Sequence, residues 1–375
     1  MKWYSADEVF LNEKLCKDVF LGFDNENYIK KIIFEKPNDN VQFFDGILSP
    51  GFVNAHCHLE LSYLHQQIDT NLGLIPFLEW INKNRNSVEQ EKIFDKIAEQ
   101  DNEMYQNGIQ AVGDICNTDW TIETKIKSKI QYHSFVELVG VNEKIASQKI
   151  DEGKLKQKLF EENNLKNSLA IHAPYSCSGN LIEKICVENK SNILSIHMQE
   201  SDEENLLFQK KENQFLAFYK NMNIEALKID EINLTSFEAI EKKIKFQQNS
   251  IFVHNTFTTN EDIKMLQANQ YFCFCPKANL YIENRLPDVN LFLEKNNQLV
   301  LGTDSLASNN TLNIWEEILV FQKYFPEIPL QNYLKWATIN GAKALKMDNK
   351  IGSFEVGKQP GLINISNKNI IKRIL

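Results

Sequence analysis

The sequence predicts an α/β fold in which a (β/α)8 barrel carries a small β-sandwich-like domain built from both chain termini. Short apolar runs rich in β-branched and aromatic residues recur eight times, and longer charged segments of helical character separate them. Each run is almost continuously apolar and is followed by polar residues, a pattern typical of buried parallel strands. The predicted strands are Phe52–His58, Ile109–Cys116, Gln131–Gly140, Ser168–Ser176, Asn192–Glu200, Ser250–Phe257, Tyr271–Pro276 and Gln298–Ser305.

The segments between these runs have the periodicity of helices that cover a sheet. Lys92–Gln106 places Ile93, Ile97 and Met104 at roughly helical spacing, and Ile314–Tyr324 behaves likewise. Strand and helix units in series match a (β/α)8 barrel. The alternative, a doubly wound open sheet, needs a Gly-rich phosphate turn after its first strand, and the sequence has none there.

Three parts of the chain follow from this pattern. Residues 1–49 are expected to form the N-terminal part of the small β domain, residues 50–345 the barrel, and residues 346–375 the C-terminal part of the β domain. The last part contains IGSFEVGK and LINIS, both of which have the character of short strands.

The segment at positions 205–249 is too long for a simple connection between the fifth and sixth strands. Phe208, Phe215, Phe218 and Tyr219 stand in it among many charges. We expect an extra helical pair packed on the barrel. The alternative is that part of the segment covers the active site.

Composition excludes several classes of protein. Lys+Arg 41 against Asp+Glu 50 gives a net charge of −9, which disfavours binding along a nucleic-acid backbone. The chain begins without an apolar signal region, and no run approaches the roughly 20 apolar residues of a membrane span. Seven cysteines without a disulfide framework indicate a reducing compartment, and we expect a cytoplasmic protein. The expected partner is a small-molecule substrate, with a homo-oligomer left as an open alternative, and neither nucleic acid nor membrane is expected.

Histidines gather at the C-terminal ends of the predicted strands, which form the catalytic face of such a barrel. Each buried imidazole needs a polar partner, so core packing does not account for this gathering. The histidines concerned are His56, His58, His172, His197 and His254, and Asp304 ends the eighth strand. His65 and His133 lie past the rim and early in a strand, and we assign both to structure.

The spacing at this rim suits a catalytic metal site. His56 and His58 share one face of their strand because residues i and i+2 point the same way. His197 and Asp304 would complete a set of three nitrogens and one oxygen, which zinc accepts. A closed structural zinc site would favour cysteine ligands instead. Cys273 and Cys275 have no second cysteine pair nearby, so they are interpreted as buried hydrophobic residues.

Glu200 follows His197 by three residues and can face a water at the site without binding the metal. Glu60 directly follows the strand of His56 and His58, and we expect it to contact the substrate.

Several stretches resemble the amidohydrolase superfamily, in its branch of metal-dependent aminohydrolases that includes cytosine, guanine and S-adenosylhomocysteine deaminases. The resembling stretches are LSPGFVNAHCHLELS, IHAPYSCS, IHMQES, FVHNTF, CPKANL, LGTDSLASNN and NGAKALKMDNKIGSFEVGKQPG. They run in order over almost the whole chain. Within the branch, HLELS, HAPYS, HMQESDEE, FVHN and TDSLASN look most similar to aminofutalosine deaminases.

The resemblance implies roles for individual residues. The metal ligands match His56, His58, His197 and Asp304, and the proton-transferring glutamate matches Glu200. The resemblance also implies that Asp304 takes a proton from the attacking water, that His254 contacts that water and that His172 contacts the substrate. The fourth strand offers no lysine to bridge two metals, so one divalent ion is implied, most simply Zn²⁺, with Fe²⁺ or Mn²⁺ as alternatives.

This chain departs from the family pattern in two places. It has Pro276-Lys277-Ala278-Asn279 where Pro-x-Ser-Asn is common, which removes a serine contact to the substrate. The tail Gly357-Lys358-Gln359-Pro360-Gly361-Leu362 replaces Gly-Lys-x-Ala-Asp-Leu and concerns the small β domain.

The predicted activity is hydrolytic deamination of an aminopurine nucleoside-like molecule, with 6-amino-6-deoxyfutalosine as the leading candidate. The alternatives are deamination of a free base, hydrolysis of a cyclic amide or of a ring halogen at the same site, and a barrel without catalysis. The zinc site of cytidine deaminases is excluded because the chain has no PCxxC.

Overall fold

The computed structural model describes residues 1–85, 88–189, 192–229, 233–244 and 249–375. Within these ranges the strands form two parallel four-stranded sheets and one mixed seven-stranded sheet. Numbered along the chain, the strands are β1 Lys2–Leu11, β2 Lys14–Cys16, β3 Phe20–Phe23, β4 Ile29–Ile33, β5 Val41–Ser49, β6 Phe52–Cys57, β7 Ile109–Cys116, β8 Gln131–Leu138, β9 Lys166–Ile171, β10 Ile193–Met198, β11 Asn249–His254, β12 Gln270–Phe274, β13 Leu299–Leu301, β14 Ile363–Ile365 and β15 Ile371–Arg373.

The helices fall mainly between the parallel strands. The α-helices are α1 Leu74–Asn84, α2 Gln90–Gln106, α3 Ile122–Lys127, α4 Ala146–Glu162, α5 Gly179–Glu188, α6 Asp202–Phe208, α7 Phe215–Asn221, α8 Ser236–Glu241, α9 Asn260–Met265, α10 Pro276–Glu283, α11 Ile314–Tyr324, α12 Leu330–Lys335 and α13 Gly341–Ala344. Short 3₁₀ segments span Leu59–Leu64, Glu143–Ile145, Pro174–Ser176 and Val289–Gln298, and a π turn, Trp336–Asn340, joins α12 to α13. None of the helices in the described ranges combines the length and the apolar composition needed to cross a membrane.

The two parallel sheets form the predicted (β/α)8 barrel. One runs β6–β7–β8–β9 and the other β10–β11–β12–β13, and every residue of β6 and β10 is buried. The sheets meet at both edges: the backbone N–H of His197 donates to the carbonyl of His172 at 2.9 Å, and that of Thr303 donates to the carbonyl of His56 at 3.0 Å. These contacts bring the ends of β6, β9, β10 and β13 to one rim.

The mixed sheet joins both ends of the chain in the order β15–β14–β5–β1–β3–β4, with β2 paired to β1. β1 runs parallel to β5, whereas β14 runs antiparallel to it. A separate apolar cluster supports this sheet and draws on residues from both termini, including Tyr4, Val9, Leu21, Phe23, Phe354 and Leu362.

The C-terminal segment differs in part from the prediction. LINIS contains β14, as expected, but IGSFEVGK contains no strand. Gly352 and Gly357 have φ of +86° and +92°. Positive φ turns the backbone out of the extended conformation that pairing requires, so the apolar residues of this stretch lie in turns.

The segment between β10 and β11 contains three short helices, α6, α7 and α8, in place of the expected helical pair. The parts of that prediction that fall on residues 230–232 and 245–248 lie outside the described residues. Phe215 of α7 stacks on Tyr175 at 4.5 Å between ring centroids, and the Tyr219 hydroxyl donates to the carbonyl of Tyr175 at 2.5 Å. The segment is therefore anchored to the 3₁₀ turn that follows β9.

A buried ion pair supports the barrel beside β6. The Lys125 ammonium lies 2.6 Å from Asp114 Oδ2, and both side chains are fully buried. The ammonium also donates to Ser134 Oγ at 2.8 Å and to Cys116 Sγ at 3.1 Å. Burial opposes its charge, but the charge of Asp114 and these contacts outweigh that effect, so the pKa of Lys125 is raised.

Candidate active site

Three imidazoles converge where β6 and β10 end. His58 Nε2 lies 3.1 Å from His56 Nε2 and 3.1 Å from His197 Nε2. A single ring nitrogen carries at most one proton and cannot donate to both neighbours. The three nitrogens therefore require a shared partner other than one another.

Asp304 faces the same point from the end of the eighth strand. Its Oδ1 is 3.5 Å from His56 Nε2 and 3.3 Å from His58 Nε2, and its Oδ2 accepts a hydrogen bond from the Ser308 hydroxyl. Burial raises the pKa of this carboxyl, but the hydrogen-bonding interaction with His56 opposes burial, and the pKa lies far below its usual range. The group is therefore an anion beside three nitrogens.

These donors fit one divalent cation. Burial lowers the pKa of His58 to about 3, and it also lowers the pKa values of His56 and His197, so the rings are neutral. A neutral imidazole is the form that binds a metal. In a tetrahedral zinc site with bonds of about 2.0 to 2.1 Å, adjacent ligand atoms lie about 3.3 Å apart. The separations of His58 Nε2 from its three neighbours, and that of His56 Nε2 from Asp304 Oδ1, are 3.1 to 3.5 Å and agree with that value.

His254 completes the ring of polar groups from β11. Its ligand nitrogen lies within 4.8 Å of those of His56, His197 and Asp304. Its Nδ1 lies 2.9 Å from Asn279 Oδ1, while Asn279 Nδ2 donates to the His254 carbonyl at 3.4 Å. This amide orientation makes Nδ1 the protonated nitrogen and leaves the lone pair of Nε2 directed away from Asn279. His254 has φ of +77°, an uncommon value for a residue with a side chain and one often found at functional sites.

Glu200 stands next to His254, as a proton-transferring group would have to. Its Oε1 is 3.5 Å from His254 Nε2, and the residue is only 5% exposed. Burial, followed by the charge of Asp304, raises the pKa of Glu200 well above its usual value. Both effects favour the protonated form of the side chain.

An elongated cavity of about 360 Å³ opens from this cluster. Its polar lining includes His58, His172, His197, Glu200, His254 and Asp304. Its apolar lining includes Leu74, Phe77, Leu78, Ile81, Phe218 and Tyr219. α7, in the segment at positions 205–249, therefore contributes to the wall of the active-site cavity.

His172 lies on the cavity wall beside the cluster formed by His56, His58, His197 and Asp304. Its Nδ1 is 2.7 Å from Ser176 Oγ, and its ring centroid is 5.1 Å from that of His197. Ser176 occupies Nδ1, so Nε2 is the nitrogen left for a ligand. This position is consistent with the expected contact to substrate.

Glu60 does not lie where the sequence suggested. One carboxylate oxygen accepts from the backbone of Asn117 at 3.1 Å, and the other accepts from the backbone and hydroxyl of Thr118 at 3.0 and 2.7 Å. The side chain is 1% exposed and is not among the cavity-lining residues. It therefore holds the loop after β7 rather than facing the cavity, because the chain turns into a 3₁₀ segment at Leu59.

The residues that were predicted to have only structural roles occupy positions that fit those roles. His65 is exposed, and His133 is buried with its Nε2 2.8 Å from Ser168 Oγ. Cys273 and Cys275 are buried in the apolar core of the barrel. The metal-type clusters found among the described residues contain no cysteine.

Sequence reasoning missed three residues at this site. Ser308 holds Asp304, Asn279 orients His254, and Glu137 enters the cavity from β8 with burial raising its pKa to about 7. Asn279 and Ser308 stand in the CPKANL and TDSLASN stretches, so those motifs carried a signal. Glu137 stands in a strand whose only evident feature is its apolar character.

Comparison with known proteins agrees with this arrangement. The model of the amidohydrolase family matches residues 47–373. An adenosine deaminase of Helicobacter pylori is 27% identical over 382 residues, covering 95% of this chain and 90% of that protein. A 5-methylthioadenosine/S-adenosylhomocysteine deaminase of Thermoanaerobacter pseudethanolicus is 27% identical over 375 residues, covering 93% and 80%. The crystal structure of Helicobacter pylori aminofutalosine deaminase with methylthio-coformycin gives a TM-score of 0.83 at 25% identity, covering 98% of this chain and 92% of that one.

Proposed function

The chain belongs to the amidohydrolase family, and we propose that this hydrolase of C–N bonds deaminates an adenosine-like nucleoside in a metal-dependent reaction that releases ammonia. The observation that carries the proposal is the meeting of Glu200, whose buried position favours the protonated form, with a cluster of imidazoles and the Asp304 carboxylate on one cavity wall. An acid and a base at one reacting centre are what the addition of water to a ring carbon and the loss of an amine require.

The proposed metal ligands are His56, His58, His197 and Asp304. Zn²⁺ is the first choice for three nitrogens and one oxygen, and Fe²⁺ or Mn²⁺ tolerate the same set. When bound, such an ion lowers the pKa of a water from 15.7 to about 7. The protein's part is to hold the four donors in place, which the Ser308 hydroxyl does for Asp304.

Elemental analysis should give one divalent metal per chain, and His197→Ala should lose most of it because one of four ligands is gone. His65→Ala is the matched control, since that imidazole is exposed and lies outside the cluster. Two metals per chain, or full metal in His197→Ala, would show that the ligand set is wrong.

The residues around the reacting centre can move each proton of the reaction. His254 Nε2 accepts a hydrogen bond from the attacking water and orients it, and Asp304 takes one water proton as the oxygen bonds to the amine-bearing ring carbon. Glu200 gives its proton to the adjacent ring nitrogen. The bond between the ring carbon and the exocyclic amine nitrogen then breaks, the proton on Asp304 leaves with the amine as ammonia, and the new hydroxyl proton returns to Glu200 as the ring carbonyl forms. Both protons of the water are accounted for, and the enzyme is regenerated.

The substrate proposed first is 6-amino-6-deoxyfutalosine. Its support is the resemblance of several motifs to aminofutalosine deaminases and the similarity to the Helicobacter pylori enzyme. The apolar wall formed by Phe77, Leu78, Ile81 and Phe218 also suits a nucleoside that carries an apolar group.

Ammonia release from a panel of compounds tests the proposed reaction. The panel contains aminodeoxyfutalosine, adenosine, 5′-deoxyadenosine, methylthioadenosine and adenine. A cyclic amide and a chlorinated ring are assayed beside it for ring opening and for chloride release, because neither hydrolysis yields ammonia. We expect one of the adenine nucleosides to be the best substrate. The Glu200→Gln protein, prepared identically, controls for contaminating deaminases. Ammonia from adenine alone would favour the free-base alternative, and turnover of only the cyclic amide or the halide would overturn deamination.

A further inference from the structure

Glu137 is a buried carboxylate on the cavity wall that the proposed reaction does not use. It stands near the end of β8, its side chain is 3% exposed, and it lines the cavity together with His172 and Asn117. Its Oε2 accepts a hydrogen bond from Asn117 Nδ2 at 2.8 Å. Its Oε1 makes no hydrogen bond within the described part of the chain.

The imidazole beside Oε1 already makes a hydrogen bond to another group. His197 Nδ1 lies 3.6 Å from Oε1, beyond hydrogen-bond distance, and the same nitrogen is 2.7 Å from the carbonyl of His172. A ring N–H has one proton, and the carbonyl takes it. For the same reason Glu137, His172 and His197 do not offer a second complete set of ligands to a cation.

A carboxylate oxygen that is buried without a donor is costly, and native structures satisfy such groups. Because Glu137 lines the cavity, a molecule bound there can supply the donor. In its ionised form, which predominates above its pKa of about 7, Glu137 accepts only from groups that carry a proton, so ring nitrogens and ether oxygens do not qualify. In an adenosine-like molecule the donors are the exocyclic amine and the sugar hydroxyls.

The exocyclic amine of the substrate is expected on the side of the His197 ring opposite to Glu137. The Nε2 edge of His197 faces His58 at 3.1 Å, in the cluster where the reaction is proposed, whereas Glu137 meets the Nδ1 edge. We propose that Glu137 accepts a hydrogen bond from a sugar hydroxyl of the substrate, so that the cavity favours nucleosides with that hydroxyl over those without it. This inference rests on the function proposed above.

The test combines removal of the Glu137 carboxylate with removal of the sugar hydroxyls of the substrate. Parent and Glu137→Gln are assayed with adenosine, 2′-deoxyadenosine, 3′-deoxyadenosine and 2′,3′-dideoxyadenosine. A hydrogen bond to a charged group predicts that the parent prefers adenosine to the dideoxy compound by about 10- to 100-fold in kcat/KM. In Glu137→Gln this preference should fall to within about threefold of unity, mainly through a raised KM for adenosine.

Three controls separate this role from others. Glu152→Gln removes an exposed carboxylate on α4 that contacts Lys149 at the surface, and it should keep the parent's preference. Elemental analysis of Glu137→Gln should show an unchanged metal content. Loss of metal would mean that Glu137 supports His197, and an unchanged preference for adenosine would mean that another group reads the sugar; either result overturns the inference.

A second readout keeps the inference separate from the reaction. The rise in Tm caused by adenosine should exceed that caused by dideoxyadenosine in the parent and not in Glu137→Gln. If the parent deaminates no adenine nucleoside, the proposed function is wrong, and equal Tm shifts by the two ligands in the parent would then reject the role of Glu137 as well.

Discussion

Glu200→Gln should keep its metal and lower kcat by about 10²- to 10⁴-fold, the range expected when a general acid is lost. The substitution preserves the size and the hydrogen-bonding capacity of a side chain that is only 5% exposed. What it removes is the acidic proton of the carboxyl, the form that the raised pKa of Glu200 favours. An amide cannot transfer a proton to the ring nitrogen.

The measurement pairs steady-state rates with elemental analysis. Glu261→Gln is the control, because its carboxylate is exposed on α9 and pairs with Lys264 at the surface. The parent's metal content with a rate lowered by orders of magnitude is the expected result. A variant that loses metal would place Glu200 among the ligands, and one that turns over at the parent rate would show that another group donates the proton.

The barrel was predictable because its signal is repeated and local. A parallel strand such as β10 is buried on both faces, so its sequence is continuously apolar, and the polar residues that follow it mark the rim. His197 and Glu200 could be assigned to the rim from this pattern together with their spacing. The i, i+2 relation placed His56 and His58 on one face for the same reason.

Glu60 shows where local reasoning stops. The expectation that it faces the cavity extended strand alternation past His58, but the chain turns into the 3₁₀ segment at Leu59. The backbone N–H of Leu59 donates to Asp114 Oδ1 at 2.8 Å, a partner 55 positions away in the sequence. Hydrogen bonds between residues so far apart produce no periodic pattern in the amino-acid sequence.

The roles of Glu137 and Asn279 were beyond the sequence for a related reason. Asn279 matters because its amide fixes which nitrogen of His254 is protonated, and Glu137 matters because His197 donates its proton elsewhere. Each role depends on which hydrogen-bond donors and acceptors the neighbouring groups already use. Such an argument needs coordinates for all of the partners at once.

The predicted end of the eighth strand was wrong, although Asp304 itself lies at the rim as expected. The eighth strand was predicted to reach Ser305, but β13 ends at Leu301. A Cβ on Gly302 would lie 2.8 Å from the carbonyl of His56, and Asp304 has φ of +57°. The chain therefore bends against β6 immediately before the carboxylate, and this bend brings Oδ1 towards the imidazoles.

The buried pair of Lys125 and Asp114 governs the stability of the same region. Removing one partner of a buried ion pair typically costs about 3 to 5 kcal/mol, because the other charge is left without compensation. Lys125→Met fills similar space but removes all three donors of the ammonium, leaving Asp114 Oδ2 buried without its cation. We therefore expect Lys125→Met to lower the free energy of unfolding by that amount in a denaturant titration.

Lys127→Met is the matched control on the same helix. Its ammonium is 72% exposed and pairs with Glu123 in water, so its loss should cost no more than about 1 kcal/mol. The double variant Lys125→Met with Asp114→Asn removes both charges and keeps an amide oxygen for the Leu59 N–H. It should recover part of the stability lost in Lys125→Met.

The pair should also influence the active site through one hydrogen bond. Asp114 Oδ1 accepts from the backbone of Leu59, the residue after His58, and so fixes the chain where a proposed metal ligand leaves its strand. If Lys125 holds Asp114 in this position, Lys125→Met should weaken metal affinity by about tenfold, the lower end of the range for groups that orient ligands. If Lys125→Met were as stable as Lys127→Met, the argument from an uncompensated buried charge would be wrong. If Lys125→Met lost much stability but kept the parent's metal affinity, the ion pair would support the barrel and not the metal site.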